Sequence, residues 1–369
     1  MLSRIAEALF WIGRYVERAD GTARILDVHL QLLLEDPWAD EESVCRTVLS
    51  VMGMPDAAGG NPRRGDALRA LATDRTRAIS VAHSLSSARE NARRAREVIS
   101  QDLWEVLNTT NARLPLRVDF ERSHSFFQWV RERAALTYGV AETSMSRDEA
   151  WYFFVLGRAL EAADMTARLL VSAARTDGGG AINWMTLLRS CDAYDAHLRV
   201  HRSMPTATSA TEFLLIDRHF PRSVLSSVIR AEESLQRIGQ SSPLLPPDAV
   251  GRAIGRLRSD LEYRPVADLV LVLESSMHHV QESVSTISNA VQDQYFPSIA
   301  APVWTEETLR PGSGSCTAPA SSTPRPRQPR TTRPACCRAR RIVSSCCRPA
   351  SRLNRRRIRT PTTTIGELR

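Results

Sequence analysis

Apolar residues Ile5, Leu9, Ile12, Val16, Ala19, Ala23, Leu26 and Leu30 recur at steps of three and four. At about 100° per residue they fall on one stripe of a long helix. Ser3 is its expected N-cap and Pro37 its expected stop. The same periodicity predicts helices over 41–52, 76–100, 101–111 and 119–138, punctuated by Pro55, Gly59, Gly60, Pro62 and Pro115. Ser146-Arg147-Asp148-Glu149 has the spacing of a capping box and predicts a second long helix running to about Thr176, closed by Gly178-Gly179-Gly180. Further helices are predicted over 183–201, 211–219, 221–239, 247–263 and 265–293, and strand alternation is nearly absent. The pattern predicts an all-α, multi-helix bundle whose stripes pack against one another.

Shifting the chain against itself by 144 positions aligns the two long helices, near 3–36 and 146–176. The matched pairs include Phe10/Phe154, Gly13/Gly157, Arg14/Arg158, Glu17/Glu161, Asp20/Asp164, Thr22/Thr166, Ala23/Ala167 and Arg24/Arg168. The bundle is therefore read as two related halves. Arg14, Glu17, Asp20 and Arg24 share one arc of about 120° beside the apolar stripe, and Arg158, Glu161, Asp164 and Arg168 repeat it.

On a single helix these residues are ordinary i,i+3 and i,i+4 pairs, contributing about 0.2–0.5 kcal/mol each. Their repetition, with Gly13 and Gly157 at the same height to let backbones approach, points instead to two charged arcs facing each other. Such a network is either purely structural or a binding site for a carboxylate or phosphate, and these eight residues are the candidate ligand-binding set.

Charge is unevenly distributed. The 369 residues carry 49 basic and 41 acidic side chains, all the basic ones arginine. After Arg310 there are 14 arginines and one acid, Glu367, so positions 1–310 keep 35 basic against 40 acidic residues. The absence of lysine excludes a P-loop lysine and a Schiff-base lysine.

Beyond Trp304 no aromatic residue occurs, and Pro, Ser, Thr and Arg dominate. A helical domain over 1–304 followed by a disordered tail over 305–369 is expected. The tail reads either as an Arg-rich electrostatic arm or as GC-rich DNA translated out of frame. The second reading fits Cys336-Cys337 and Cys346-Cys347 better.

Only Cys45 and Cys191 lie in the body, too few for a disulfide framework. Arg4, Glu7 and Arg14 interrupt the N-terminal apolar run too often for a secretory signal, and no stretch reaches the roughly 18 apolar residues of a membrane span. A cytoplasmic protein is expected.

Familiar chemistries find little support. One Glu-x-x-His element occurs, Glu121 to His124, where a dimetal bundle needs two. His197 and His201 have helical spacing, but Leu198 stands where a zinc protease needs glutamate; His278-His279 is a poor chelate. Cys45 and Cys191 sit in helical patterns as small buried residues. Trp11, Trp104, Trp129, Trp151 and Trp184 read as packing residues. No metal and no cofactor is expected. Nucleic acid would be held only nonspecifically, through the tail, since no aromatic residue there could stack on bases.

Together MLSRIAEALFWIGRYVERADGTARILDVHL, ARENAR with Trp104-Glu105-Val106-Leu107-Asn108, GRALEAADMTARLL and FLLIDRHFPRSV resemble the alpha-E family, all-helical bacterial proteins named for a Glu-Arg motif. The resemblance covers about residues 1–300. The motif is Glu17-Arg18, whereas the second copy reads Glu161-Ala162.

The resemblance implies association with a circularly permuted ATP-grasp protein and a transglutaminase-like protein, in ATP-dependent peptide-bond formation and its reversal. It transfers no catalytic residue. The primary expectation is a non-catalytic interaction or regulatory module acting with those partners. The alternatives are a peptide- or carboxylate-binding enzyme subunit using the paired Arg/Glu face, and nonspecific nucleic-acid association through the tail.

Overall fold

The computed structural model describes residues 1–36, 38–54, 60–175, 181–241 and 249–297. The chain divides into two units, 1–301 and 302–369; the expected tail lies outside the described residues, as do Pro37 and Gly178–Gly180. Every regular element among the described residues is helical.

Two long helices, α1 (Ser3–Glu35) and α7 (Glu149–Arg175), form the centre. They run parallel and in register: the Met1 amine meets Glu149 at 2.9 Å, Gly13 abuts Phe154 and Arg158, and Gly21 abuts Met165. A Cβ at Gly13 would collide with the Phe154 carbonyl oxygen, and one at Gly157 with that of Phe10. Only glycine at both places permits this approach.

Each central helix gathers its own satellites. α1 packs on α4 (Val81–Arg94) and α6 (Ser123–Ser144), with α5 (Gln101–Ala112) joining those two. Likewise α7 packs on α11 (Val224–Ser241) and α14 (Leu273–Tyr295), joined by α12 (Ala249–Tyr263). The fold is thus an all-α bundle of two related halves. Shorter helices complete it: α2 (Glu41–Val51), α3 (Arg64–Ala67), α8 (Ala181–Ser190), α9 (Tyr194–His201), α10 (Ala207–Ile216) and α13 (Val266–Leu271). Phe10, Phe127, Phe154 and the leucine and isoleucine stripes of both halves fill one continuous core.

The repeat extends beyond the central helices. Asp74 Oδ1 accepts from the Thr76 amide and Asp217 Oδ1 from the His219 amide, both at 2.8 Å. The Ser80 hydroxyl donates to the Asp74 carbonyl and caps α4 by accepting from the His83 amide; Ser223 does the same with Asp217 and Ser226. A shift of 143 residues relates these two loops.

Several boundaries differ from the sequence reading. Leu2, not Ser3, occupies the α1 N-cap, because the helix starts with Ser3 inside it. The anticipated Ser146/Glu149 box does not form: Asp148 accepts from the Ala150 amide at 3.0 Å and Glu149 binds the chain's amino terminus. The helix expected over 76–100 begins only after the Ser80 cap and ends at Arg94, with Ser100 capping α5 separately. Asp192, at φ 58°, breaks 183–201 into α8 and α9, and Val272 separates α13 from α14.

Candidate functional site

The apolar stripes fix the axial rotation of α1 and α7, and that rotation turns their charged arcs toward one another. Arg14 Nε donates to Glu161 Oε2 at 2.7 Å, and Arg158 Nε donates to Glu17 Oε2 at 3.2 Å. The two contacts exchange under the 144-residue shift, as a pseudo-two-fold relation requires. Each arginine therefore serves the glutamate of the other copy, not the one three residues along its own helix.

The neighbours of the two glutamates are not equivalent. Glu161 receives a second arginine from α1: Arg18 Nη2 donates to its Oε2 at 2.9 Å and Nε to its Oε1 at 2.5 Å. The residue matching Arg18 in α7 is Ala162, which has no donor to offer Glu17. Arg222, from the loop before α11, stands there instead, with Nε 3.2 Å from Glu17 Oε1 and Nη2 bonded to Asp20. The Tyr138 hydroxyl of α6 adds a 2.7 Å bond to Glu17.

Arg222 is held there by its backbone. Its carbonyl accepts from Thr166 at 2.9 Å, as the Ile79 carbonyl accepts from Thr22 at 3.3 Å in the first half. Position 222 is thus the counterpart of Ile79, an arginine in one loop and an apolar residue in the other.

Both carboxylates are buried. Burial alone pushes the Glu17 carboxyl up, but the Arg222 and Arg158 charges and the Tyr138 hydroxyl outweigh it and bring it to about 2. Burial likewise opposes, and the Arg18 and Arg14 charges overcome, the same shift for Glu161, also to about 2. Tyr138 is driven well above its ordinary value by burial and by Glu17, so its hydroxyl stays protonated and donates.

The remaining candidate residues separate. Asp20 and Arg24 extend the network: Arg24 Nη2 lies 3.1 Å from Asp20 Oδ2 and its Nη1 lies 3.1 Å from Asp192. Asp164 and Arg168 instead form their own i,i+4 pair at 2.7 Å, where Arg168 borders Gly53 and a different cleft with Arg175 and His278.

Sequence reasoning missed Arg222, Tyr138 and Ser288, whose hydroxyl accepts from Arg14 Nη1 at 2.8 Å. The repeated Asp…Ser-Val loops at 74–81 and 217–224 would have pointed to Arg222; no signal marked the other two.

Elsewhere the reactive side chains are quiet. Burial pushes the Cys45 thiol up to about 11 and the Cys191 thiol to about 12. His197 is buried on Ser209 and stacked against His201 at 4.4 Å; His124 bonds Asp27 at 2.8 Å. Among the described residues no cluster of His, Cys, Asp and Glu has metal-binding geometry, and no helix is long and apolar enough to cross a membrane.

The profile of the Alpha-E family, described as a predicted alpha-helical domain with a conserved ER motif, matches residues 1–296. Uncharacterized proteins of Mycobacterium bovis and of Mycobacterium tuberculosis strain CDC 1551 are each 27% identical over 283 residues, covering 69% of this chain and 32% of the relative. A protein of M. tuberculosis strain H37Rv is 26% identical over the same length. The chain spans about a third of the length of these relatives. No solved structure matches it.

Proposed function

Because this chain belongs to the Alpha-E family, we propose that it works in the cytoplasm as a helical interaction or regulatory module, acting with an ATP-grasp peptide ligase and transglutaminase-like proteins in peptide synthesis or modification. One observation carries the reading: both repeated glutamates are saturated inside the protein. Glu17 is met by Arg158, Arg222 and Tyr138, and Glu161 by Arg14 and Arg18. Carboxylates held as ions near pKa 2 by three and two internal partners are poor general bases, since a useful base titrates near the working pH.

The Glu17-Arg18 motif serves architecture. Glu17 is bound to arginines of the second half and Arg18 to the glutamate of the second half, so one dipeptide fastens the central pair twice. A rigid double bundle of this kind is suited to presenting a fixed surface to a partner.

The test uses the full chain and a circularly permuted ATP-grasp protein from the same organism. The reading expects co-elution at micromolar concentrations and a stoichiometric change in ATP turnover when the two are mixed. Separate elution with unaltered turnover contradicts it.

A further inference from the structure

Helices α6, α7 and α11 enclose a cleft of about 950 Å³, lined by Tyr138, Trp151, Tyr152, Val155, Arg158 and Arg230 among others. Its size falls within the roughly 300–1,000 Å³ of small-molecule sites. Arg158 gives Nε to Glu17 and lays its guanidinium over the Tyr138 ring at 3.7 Å, with 31% of its side chain exposed. Arg230 is a half-buried second cation on the same wall. Among the described residues its guanidinium makes no hydrogen bond and no ion pair. Burial, followed by the Arg158 charge, pushes its pKa down, against the opposing pull of Glu17, Glu233 and Glu142.

Among the described residues the first half does not repeat this pair of guanidinium groups. There Arg14, the counterpart of Arg158, is buried and its Nη1 is taken by Ser288. The 143-residue shift that superposes the two Asp…Ser loops places Ser87 where the second half has Arg230. The second guanidinium, that of Arg230, thus arises where the pseudo-symmetry is broken, and it takes no part in the ion pairs that join α1 to α7.

We propose that this cleft binds a small organic carboxylate with an apolar portion, its carboxylate between Arg158 and Arg230 and its apolar portion against Tyr152 and Val155. Two guanidinium groups with free N–H donors match the planar, singly charged carboxylate. Glu142 and Glu233, which also border the cleft, oppose a doubly charged phosphate more strongly. Aliphatic and aromatic walls beside the cations give the remainder of the ligand an apolar surface to cover.

Isothermal titration of the full chain with N-acetylphenylalanine, with N-acetylphenylalaninamide and with inorganic phosphate tests this. The expected result is saturable binding of the free acid, at least about tenfold tighter than either of the others, the scale of one charge-assisted hydrogen bond. Arg230→Gln is expected to weaken the acid by at least about tenfold with the melting temperature unchanged or raised, which separates the cleft from the arginines elsewhere in the chain. Equal affinity for the amide, tighter binding of phosphate, retention of affinity in R230Q, or no saturable binding at millimolar concentration would each overturn the proposal.

Discussion

Arg222 stands beside Glu17 as Arg18 stands beside Glu161, although the two arginines come from unrelated positions in the repeat. Ala162 marks the place where the second copy lacks its own arginine, and the loop before α11 supplies the charge in its stead. The buried carboxylate sets the requirement and the fold meets it twice by different routes, because an ionised glutamate left unpaired in this core would be strongly destabilising.

Replacing Arg222 by Ala is therefore expected to lower stability by about 3 kcal/mol, the cost of stripping one partner from a buried pair. Adding Ala162→Arg should recover part of that loss in the R222A background, since it returns a guanidinium to the position that matches Arg18. Urea unfolding of the two single variants and the double variant gives the coupling.

Glu161→Gln is expected to cost about 3 kcal/mol, leaving Arg14 and Arg18 uncompensated. Asp164→Asn, by contrast, should cost less than about 1 kcal/mol, because its partner Arg168 is 29% exposed and the pair spans a single helix. Equal losses in the two variants would mean that the cross-helix geometry confers nothing special.

Gly13→Ala should destabilise by more than about 3 kcal/mol. The atom obstructing a Cβ there is a backbone carbonyl, so relief requires α1 and α7 to separate. Gly239→Ala, in α11 with nothing within 4 Å of an added Cβ, should instead stabilise by up to about 1 kcal/mol. Thermal melts of the pair distinguish a packing demand from a general dislike of alanine.

Much of this arrangement could be read from residue spacing. The 144-residue repeat is visible because the central helices are covered on nearly every side, so their polar as well as their apolar residues are under constraint. Tyr138 was not legible, because it reaches Glu17 from a satellite helix whose periodicity reports only its own packing, and Arg222 was legible only through the repeated Asp…Ser-Val loops, since a loop carries no periodicity. The interruptions at 95–100 and at Asp192 also escaped, since helical periodicity runs through them. Ser80 and Ser100 were cap signals that the stripe obscured, while the left-handed Asp192 is a backbone choice with no local pattern.

Cys45 and Cys191 should resist alkylation in the native protein, since both are buried and their thiols stay protonated at neutral pH. Iodoacetamide labelling at pH 7.5, mapped by peptide mass, is expected to modify these two at least about tenfold faster in urea than in buffer. Rapid native labelling of Cys191 would mean that the region around Arg24 and Arg222 opens readily.

The central claim is that Glu17 and Glu161 join the halves as buried ions. Both folded values lie near 2, below the ordinary 4.5, so their stabilising contribution is complete above about pH 4.5 and is lost as pH falls toward 2. The most direct measurement is the unfolding free energy of the native chain and of E161Q between pH 6 and pH 3. The advantage of the native chain should shrink by about 2 kcal/mol across that range; two parallel profiles would contradict the account.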